Sequence, residues 1–360
     1  IEDSINGIKA GHAAGMKVIH IPDTIEINDD IRRLTSVVCH SLSDVPDIID
    51  TWNEGKVADV EGYYENAKIN RVYVDRVHVK KAFAEYTAAY NADDPKIKLK
   101  IDHTYRVAAL CERIAKAAGM CAYDVELAWL SGMLHDVGRF EQIKRYNTFS
   151  DADSVDHAKF GADLLFKDGL ISTFLNGMVK CTGYKPGALE DRYSSDGVFL
   201  YDRLNKSDME MLELAIRCHN MYRIPQGLNR REQAFCNVLR DADKVDIFKV
   251  NIDTPLEEIY NTTTEELMKS DITDEVLEAF DEEHCILKAI RCTPADTVIG
   301  HVSLAYELVY DESVRITVEQ GYLAKLMHFH SDNEETNRKM AMVREKMDSY
   351  VKKRIGEKDA

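Results

Sequence analysis

The sequence predicts a mainly helical protein that carries a short α/β segment at its N-terminus. From about residue 71 onward, apolar residues recur at the three-to-four-residue spacing of helices. Before that point, short helical and strand patterns alternate, which is typical of an α/β unit. Hydrophobic residues make up 45% of the 360 positions and charged residues 30%, a balance that is sufficient for a sizeable core.

The N-terminal segment, residues 1–52, is predicted to contain two helices and two strands. The predicted elements are a small-residue helix at 7–14, a buried strand at 16–21, a second strand at 36–39 and a second helix at 45–52. Residues 53–70 are polar and contain glycine, so we interpret them as a linker.

The remainder is predicted to form one helical domain at 71–332, followed by a charged helix at 333–360. Within the domain, Val107, Leu110 and Ile114 illustrate the helical spacing. The final segment alternates charges around four apolar residues, so we expect an exposed helix that packs along one stripe. That stripe consists of Met340, Val343, Met347 and Val351.

The charge balance restricts the partners. Lys plus Arg number 46 and Asp plus Glu number 63, which gives a net charge of −17. Such a surface repels nucleic-acid polymers and anionic membranes. It does not exclude a small phosphate ester, because a bound metal ion and a few local cations can reverse the potential inside one cleft.

The eight cysteines are scattered, and no two form a C-x-x-C pair. This pattern is typical of small buried side chains in a reducing compartment. No apolar run is long enough to span a bilayer, and no signal peptide opens the sequence. We therefore predict a cytoplasmic protein without a membrane partner.

The strongest candidate site is an adjacent His135-Asp136 pair at the end of an apolar helical pattern. Burying both groups there is costly unless they are paired or bind a metal ion. His103 lies at the start of an upstream helix, and Asp243 lies in a carboxylate-rich helical turn downstream. Two imidazoles and two carboxylates suit a divalent ion such as Mn²⁺, Fe²⁺, Co²⁺, Ni²⁺, Zn²⁺ or Mg²⁺.

His103, the His135-Asp136 pair and Asp243 follow one another as H…HD…D, which resembles the HD-domain phosphohydrolase superfamily over roughly residues 95–250. The resemblance implies an all-helical bundle in which these four residues bind metal. It also implies metal-dependent hydrolysis of phosphomonoesters or phosphodiesters, with a metal-activated water as the nucleophile and with His135 and Asp136 at the catalytic centre.

Two further histidines fit the order of ligands in the two-metal members of that superfamily. His157 and His219 both lie between the His-Asp pair and Asp243. The resemblance makes them ligands of a second ion, with Asp136 as a bridge between the two ions. The alternatives are that they hydrogen-bond a phosphate or fill the core, and the number of ions, one or two, stays open.

Two arginines are weaker candidates for contacts with substrate phosphate. Arg106 and Arg139 each lie about one helical turn from a predicted ligand. Other lysines and arginines in this region are interpreted as solvated surface charges.

Residues 1–23 resemble the last catalytic motif of haloacid dehalogenase-like phosphatases. In that motif an acidic pair, here Glu2 and Asp3, helps to hold Mg²⁺. The aspartate nucleophile of that family lies in a D-x-D-G-T loop that precedes this motif, and no such loop occurs in the sequence. We therefore interpret residues 1–52 as the C-terminal remnant of a Rossmann-like dehalogenase-type domain.

The sequence thus favours a phosphohydrolase that acts on a small phosphorylated molecule, with a nucleotide as the favoured class. The alternative is a non-catalytic nucleotide-sensing HD module that regulates an attached dehalogenase-like phosphatase. Homodimer formation is a further expectation. The substrate, the metal and the oligomeric state are not determined by the sequence.

Overall fold

The computed structural model describes residues 1–21, 34–38, 74–91, 93–175, 206–260 and 262–356, together with positions 45, 49 and 204. The predicted linker at 53–70 lies outside these residues, and so does almost all of the helix predicted at 45–52.

The N-terminal residues form one helix and two short parallel strands. Helix α1 is Ile5–Ala13, strand β1 is Ile19–His20 and strand β2 is Val37–Val38. Ile19 pairs with Val37, and His20 pairs with Val38. The first strand is shorter than the predicted 16–21, because the backbone amide of Met16 still donates to the carbonyl of Gly11 at 3.0 Å and so belongs to the end of α1.

The rest of the described chain is helical, as the sequence predicts. The helices that surround the candidate site are α2 Arg76–Thr87, α3 Pro95–Ala117, α4 Ala122–Leu134, α5 Val137–Tyr146, α6 His157–Ala162, α7 Ile171–Leu175, α8 Lys206–Cys218 and α9 Arg230–Asp253. A single π-helical turn, Asp163–Lys167, continues α6.

A second set of helices follows toward the C-terminus. These are α10 Leu256–Tyr260, α11 Thr264–Lys269, α12 Asp274–Phe280, α13 Pro294–Val302, α14 Asp311–Gln320, α15 Tyr322–Met327 and α16 Glu334–Ile355. Short 3-10 turns lie at Lys288–Ile290 and Ser303–Glu307. Along α16, the four apolar residues of the predicted stripe are all buried.

Clear capping signals define the two longest helices near the site. Asp94 accepts from the amide of Lys96 at 2.8 Å and starts α3, with Pro95 in the first turn. Asn229 and Glu232 form a reciprocal capping box at the start of α9. These local signals fix where the helices that carry His103 and Asp243 begin.

Two glycines allow helices to approach closely beside the His135-Asp136 pair. A Cβ atom on Gly132 would lie 2.6 Å from the Cα atom of Ala108, so α3 and α4 touch through backbone. A Cβ atom on Gly138 would lie 2.5 Å from the carbonyl oxygen of His157. Any larger residue at either position would push apart the elements that bring the histidines together.

No helix among the described residues is both long and apolar enough to cross a membrane.

Candidate metal centre

Six predicted ligands lie in or at the ends of six helices and meet at one place. His103 lies in α3, His135 and Asp136 form the corner between α4 and α5, and Asp243 lies in α9. His157 is the first residue of α6, and His219 directly follows α8. All are buried except Asp243, whose side chain is 21% exposed.

The corner between α4 and α5 explains how the adjacent His-Asp pair can serve one centre. Asp136 occupies the N-cap position of α5, with φ −105° and ψ 15°, but its carboxylate makes no capping hydrogen bond. The carboxylate is therefore available to face the imidazoles rather than the helix amides.

One half of the centre comprises His103, His135 and Asp243. Nε2 of His103 lies 3.2 Å from Oδ1 of Asp243 and 3.3 Å from Nε2 of His135. Oδ2 of Asp136 lies 3.5 Å from Nε2 of His103 and 3.4 Å from Nε2 of His135. Four donor side chains thus surround one point, which we call the first metal position.

The other half comprises His157 and His219 on the opposite oxygen of the same carboxylate. The two Nε2 atoms lie 3.1 Å apart. Oδ1 of Asp136 lies 3.6 Å from Nε2 of His157 and 3.8 Å from Nε2 of His219. We call this the second candidate metal position, and Asp136 is the group that both candidate positions share.

The outer ring nitrogens set the protonation of all four imidazoles. Nδ1 of His135 lies 2.8 Å from the carbonyl oxygen of Gly132, and Nδ1 of His219 lies 2.7 Å from that of Ile216. A carbonyl only accepts, so both Nδ1 atoms carry the proton in the neutral ring.

In the other two rings, a carboxylate oxygen accepts the hydrogen bond from Nδ1. Nδ1 of His103 lies 2.6 Å from Oδ2 of Asp246, and Nδ1 of His157 lies 2.7 Å from Oδ2 of Asp151. When these four rings are neutral, each Nε2 atom therefore directs a lone pair toward the centre. Partners of this kind orient a histidine ligand and raise its basicity.

The inward-facing atoms fit divalent cations. Two nitrogens ~2.1 Å from a tetrahedral ion lie ~3.4 Å apart, close to the spacing of the two imidazole pairs. Oδ1 of Asp136 is buried and has no hydrogen-bond partner. A buried carboxylate oxygen and facing lone pairs are unfavourable alone but suit a cation between them.

The charge states of the carboxylates agree with this role. Burial opposes ionisation of Asp136, but Lys100 and the imidazoles of His135 and His157 outweigh it and hold the pKa of Asp136 well below its ordinary value. Burial likewise opposes ionisation of Asp243, whose pKa is nevertheless lowered by its contact with His103. Both carboxylates are ionised at neutral pH.

Imidazole pKa values shift in opposite directions in the two halves of the centre. Burial, then the charge on His157 and His135, lowers the pKa of His219 to about 3. Burial and Arg139 also lower the pKa of His157. Burial and Lys100 disfavour charge on His103, but the carboxylates of Asp243 and Asp246 prevail and raise the pKa of His103.

The interpretation of Lys100 as a solvated surface charge is wrong, and sequence reasoning missed Asp151 as part of the centre. Nζ of Lys100 lies 2.6 Å from Oδ2 of Asp136, and its side chain is only 13% exposed. Lys100 precedes His103 by three residues, so helical spacing alone could have indicated it. Asp151 precedes His157 in an irregular loop, where no period predicts its direction.

The two arginines predicted to contact phosphate have carboxylate partners within the chain. Arg106 holds both oxygens of Asp246, with Nε at 2.6 Å and Nη2 at 2.9 Å. Nη1 of Arg139 donates to Oδ1 of Asp151 at 2.8 Å, and its Nε lies 3.8 Å from Oδ1 of Asp136. Both thus brace the groups that hold the histidines, and a phosphate contact for either stays a prediction.

The predicted acidic motif, Glu2 and Asp3, lies beside the first strand of the N-terminal segment. The backbone of Glu2 pairs with the first strand, its amide donating to the carbonyl of Ile19 at 2.8 Å. Among the described residues, neither Glu2 nor Asp3 belongs to a group that could hold a metal ion. The dehalogenase-like origin of residues 1–52 therefore stays a prediction.

Comparison with known proteins agrees with the geometry. The sequence profile of the HD domain matches residues 101–353, which is more than half of the 360 residues and extends well beyond the 95–250 range of the resemblance. No curated protein and no solved structure matches the chain significantly. HD domains are in general metal-dependent hydrolases of phosphate esters. On its ligands and on this match, the chain belongs to the HD-domain family.

Proposed function

We propose that the protein hydrolyses a phosphomonoester or phosphodiester of a small molecule, with a nucleotide as the favoured substrate class. The observation that carries this proposal is the shared carboxylate of Asp136, with two inward-facing imidazoles on each of its oxygens. A carboxylate that bridges two metal positions is suited to the in-line displacement of phosphate esters.

Divalent ions held in such a centre supply a Lewis acid and an activated water. The contribution of the chain is to keep the ligands in one geometry. Asp246 and Asp151 hold His103 and His157 with Nε2 directed inward. Burial of these rings excludes water and strengthens every charge interaction at the centre.

Lys100 is the cation that we assign to the phosphoryl group. Its ammonium contacts Oδ2 of Asp136 at 2.6 Å, beside the first metal position. If the carboxylate held a metal ion, the ammonium of Lys100 would be available to balance charge on the substrate oxygens.

The acidic surface is compatible with this proposal. A net charge of −17 disfavours nucleic-acid polymers, which contact a large area. A small anion contacts only the centre itself, where metal ions and Lys100 dominate the local potential.

The proposal is tested with purified protein loaded in turn with Mn²⁺, Fe²⁺, Co²⁺, Ni²⁺, Zn²⁺ and Mg²⁺. Release of phosphate is measured over a panel of phosphomonoesters, phosphodiesters and nucleotides. We expect Asp136→Asn to lower the rate by ~10³-fold or more, because both metal positions lose their shared ligand. Asp102→Asn is the matched control, since Asp102 is an exposed carboxylate next to His103 on α3.

Stoichiometric metal binding without turnover of any substrate would contradict the proposal. If a nucleotide then raised the melting temperature without release of phosphate, the non-catalytic sensing module would be the better explanation.

A further inference from the structure

A second cluster of nitrogen donors lies in the C-terminal helices, outside the metal centre. It is built around Arg291, which follows the 3-10 turn Lys288–Ile290. The guanidinium donates through Nη2 to the carbonyl of Ile286, and the same nitrogen lies 4.0 Å from Sγ of Cys285. Its Nε atom is buried and has no hydrogen-bond partner.

Arg291 has no carboxylate partner among the described residues, and in this it differs from three other arginines of the helical region. Arg106, Arg139 and Arg231 each pair with an aspartate. Within the described part of the chain, no ion pair involves Arg291; burial lowers the pKa of its guanidinium, and the neighbouring Cys285 thiol only partly opposes this. A largely buried guanidinium without a counter-ion is costly.

The chain makes room for this guanidinium. A Cβ atom on Gly300, in α13, would lie 2.3 Å from Cζ and from Nε of Arg291. The planar group therefore lies directly on the Gly300 backbone, and a side chain at this position would force the guanidinium to shift. The guanidinium thus packs against α13 and does not form a salt bridge with the described residues.

His301, the next residue of α13, adds a second unsatisfied nitrogen. Its Nδ1 atom is buried and has no hydrogen-bond partner, and its ring lies 5.5 Å from that of Tyr260. Burial and then the charges of Arg291 and Lys288 lower the pKa of His301 to about 3. The ring is neutral at pH 7, and both Arg291 and Lys288 are near enough to act on it.

We propose that Arg291, His301 and Lys288 form a binding site for a small oxyanion, separate from the metal centre. The guanidinium offers Nε and an Nη nitrogen as a fork that matches two oxygens of a phosphate or a carboxylate. Nδ1 of His301 can donate to a third oxygen, and the exposed Lys288 supplies charge at the entrance. The bound anion supplies the counter-ion that the described residues lack.

The test uses the 360-residue chain stripped of metal with a chelator, so that phosphate cannot bind through ions at the metal centre. Thermal unfolding is followed while inorganic phosphate replaces chloride at constant ionic strength, and a parallel titration uses acetate. We expect a saturable rise in melting temperature of ~2–6 °C with one of these anions. The anion that gives the larger rise in melting temperature shows whether the site prefers phosphate or carboxylate.

Variants separate this site from general ion effects. Arg291→Gln should abolish the rise, and Lys288→Gln should weaken the apparent affinity several-fold while leaving the fold intact, because Lys288 is exposed. Arg315→Gln removes a charge from an exposed position on α14 and should keep the full rise. Asp136→Asn should also keep it, so this result does not depend on the proposed hydrolase activity.

The proposal is overturned if neither anion gives a saturable rise, or if Lys288→Gln and Arg315→Gln respond as the unmodified protein does. It is also overturned if Arg291→Gln folds and keeps the rise. If Arg291→Gln does not fold, the Lys288→Gln titration decides.

Discussion

The two halves of the metal centre share one carboxylate but differ in how completely the chain surrounds them. Four side chains face the first position, namely His103, His135, Asp243 and Asp136. His157, His219 and the second oxygen of Asp136 face the other. Centres with four protein ligands are closed, whereas centres with three keep positions for water or substrate. We therefore predict tighter metal binding at the first position than at the second.

The groups that hold the histidine rings in place are of the same kinds in both halves. Each half has one imidazole held by a backbone carbonyl and one held by a carboxylate. Each supporting carboxylate is in turn held by an arginine, Asp246 by Arg106 and Asp151 by Arg139. The halves therefore differ in the number of ligands and not in how those ligands are oriented.

The largest expected effect is a difference in metal affinity between the two positions. In the unmodified protein, titration with a chelator should remove metal in two phases, with the second position emptied first. His219→Gln should abolish the weaker phase and lower affinity there by more than ~100-fold, while the tighter phase remains. Metal content is measured by elemental analysis after dialysis.

His328→Gln serves as the control, because His328 is exposed and lies outside the centre. Removal of metal in one phase in the unmodified protein, or loss of both phases in His219→Gln, would break the proposed difference between the halves.

A smaller effect is expected from substitution of Asp246, which holds the ring of His103 at the first position. Asp246→Asn should weaken metal binding there by ~10–100-fold, because a neutral amide no longer increases the basicity of His103 and leaves Arg106 without its ion pair. Isothermal titration with Zn²⁺ measures both positions. Asp253→Asn, at the exposed end of α9, should leave both affinities unchanged, and an equal loss at both positions would show that Asp246 acts on the fold as a whole.

The smallest effect is on the pH dependence of the metal-free protein, and its sign differs between the halves. His219, with its pKa lowered to about 3, contributes stability above pH 6.5 that is lost as the pH falls toward 3. His103, with its pKa raised, contributes stability below pH 6.5 that is lost as the pH rises through the raised pKa. Each contribution has a slope of at most ~1.4 kcal/mol per pH unit.

Urea unfolding from pH 4 to pH 9 in the presence of chelator measures these slopes. His219→Gln should flatten the acid side of the free energy of unfolding, and His103→Gln should flatten the alkaline side. Equal changes in both variants on the same side would contradict the opposite pKa shifts.

The Arg291 cluster extends the same logic to a second part of the molecule. At the metal centre, a buried carboxylate oxygen of Asp136 has no hydrogen-bond partner, and a metal ion is the partner that we propose. At Arg291, a buried guanidinium nitrogen has no hydrogen-bond partner, and an anion is the partner that we propose. Sequence reasoning found the first because histidine and aspartate occur side by side, but an arginine that lacks a partner leaves no pattern in the sequence.

The sequence by itself determined the helical class, the HD family and the order of the ligands. These follow from local features, namely the apolar period and the adjacent His135-Asp136 pair, which do not depend on distant contacts. The tertiary structure decided which polar groups meet. His103 and Asp246 are 143 residues apart, and His157 and His219 are 62 apart, so their pairing depends on how the helices pack.

The same reason explains why Lys100, rather than Arg106 or Arg139, contacts the shared carboxylate. All three are near a ligand along the chain, but a helix presents its residues in different directions, and only packing decides which direction faces Asp136. Arg106 turns to Asp246 and Arg139 to Asp151, whereas the ammonium of Lys100 reaches Oδ2 of Asp136.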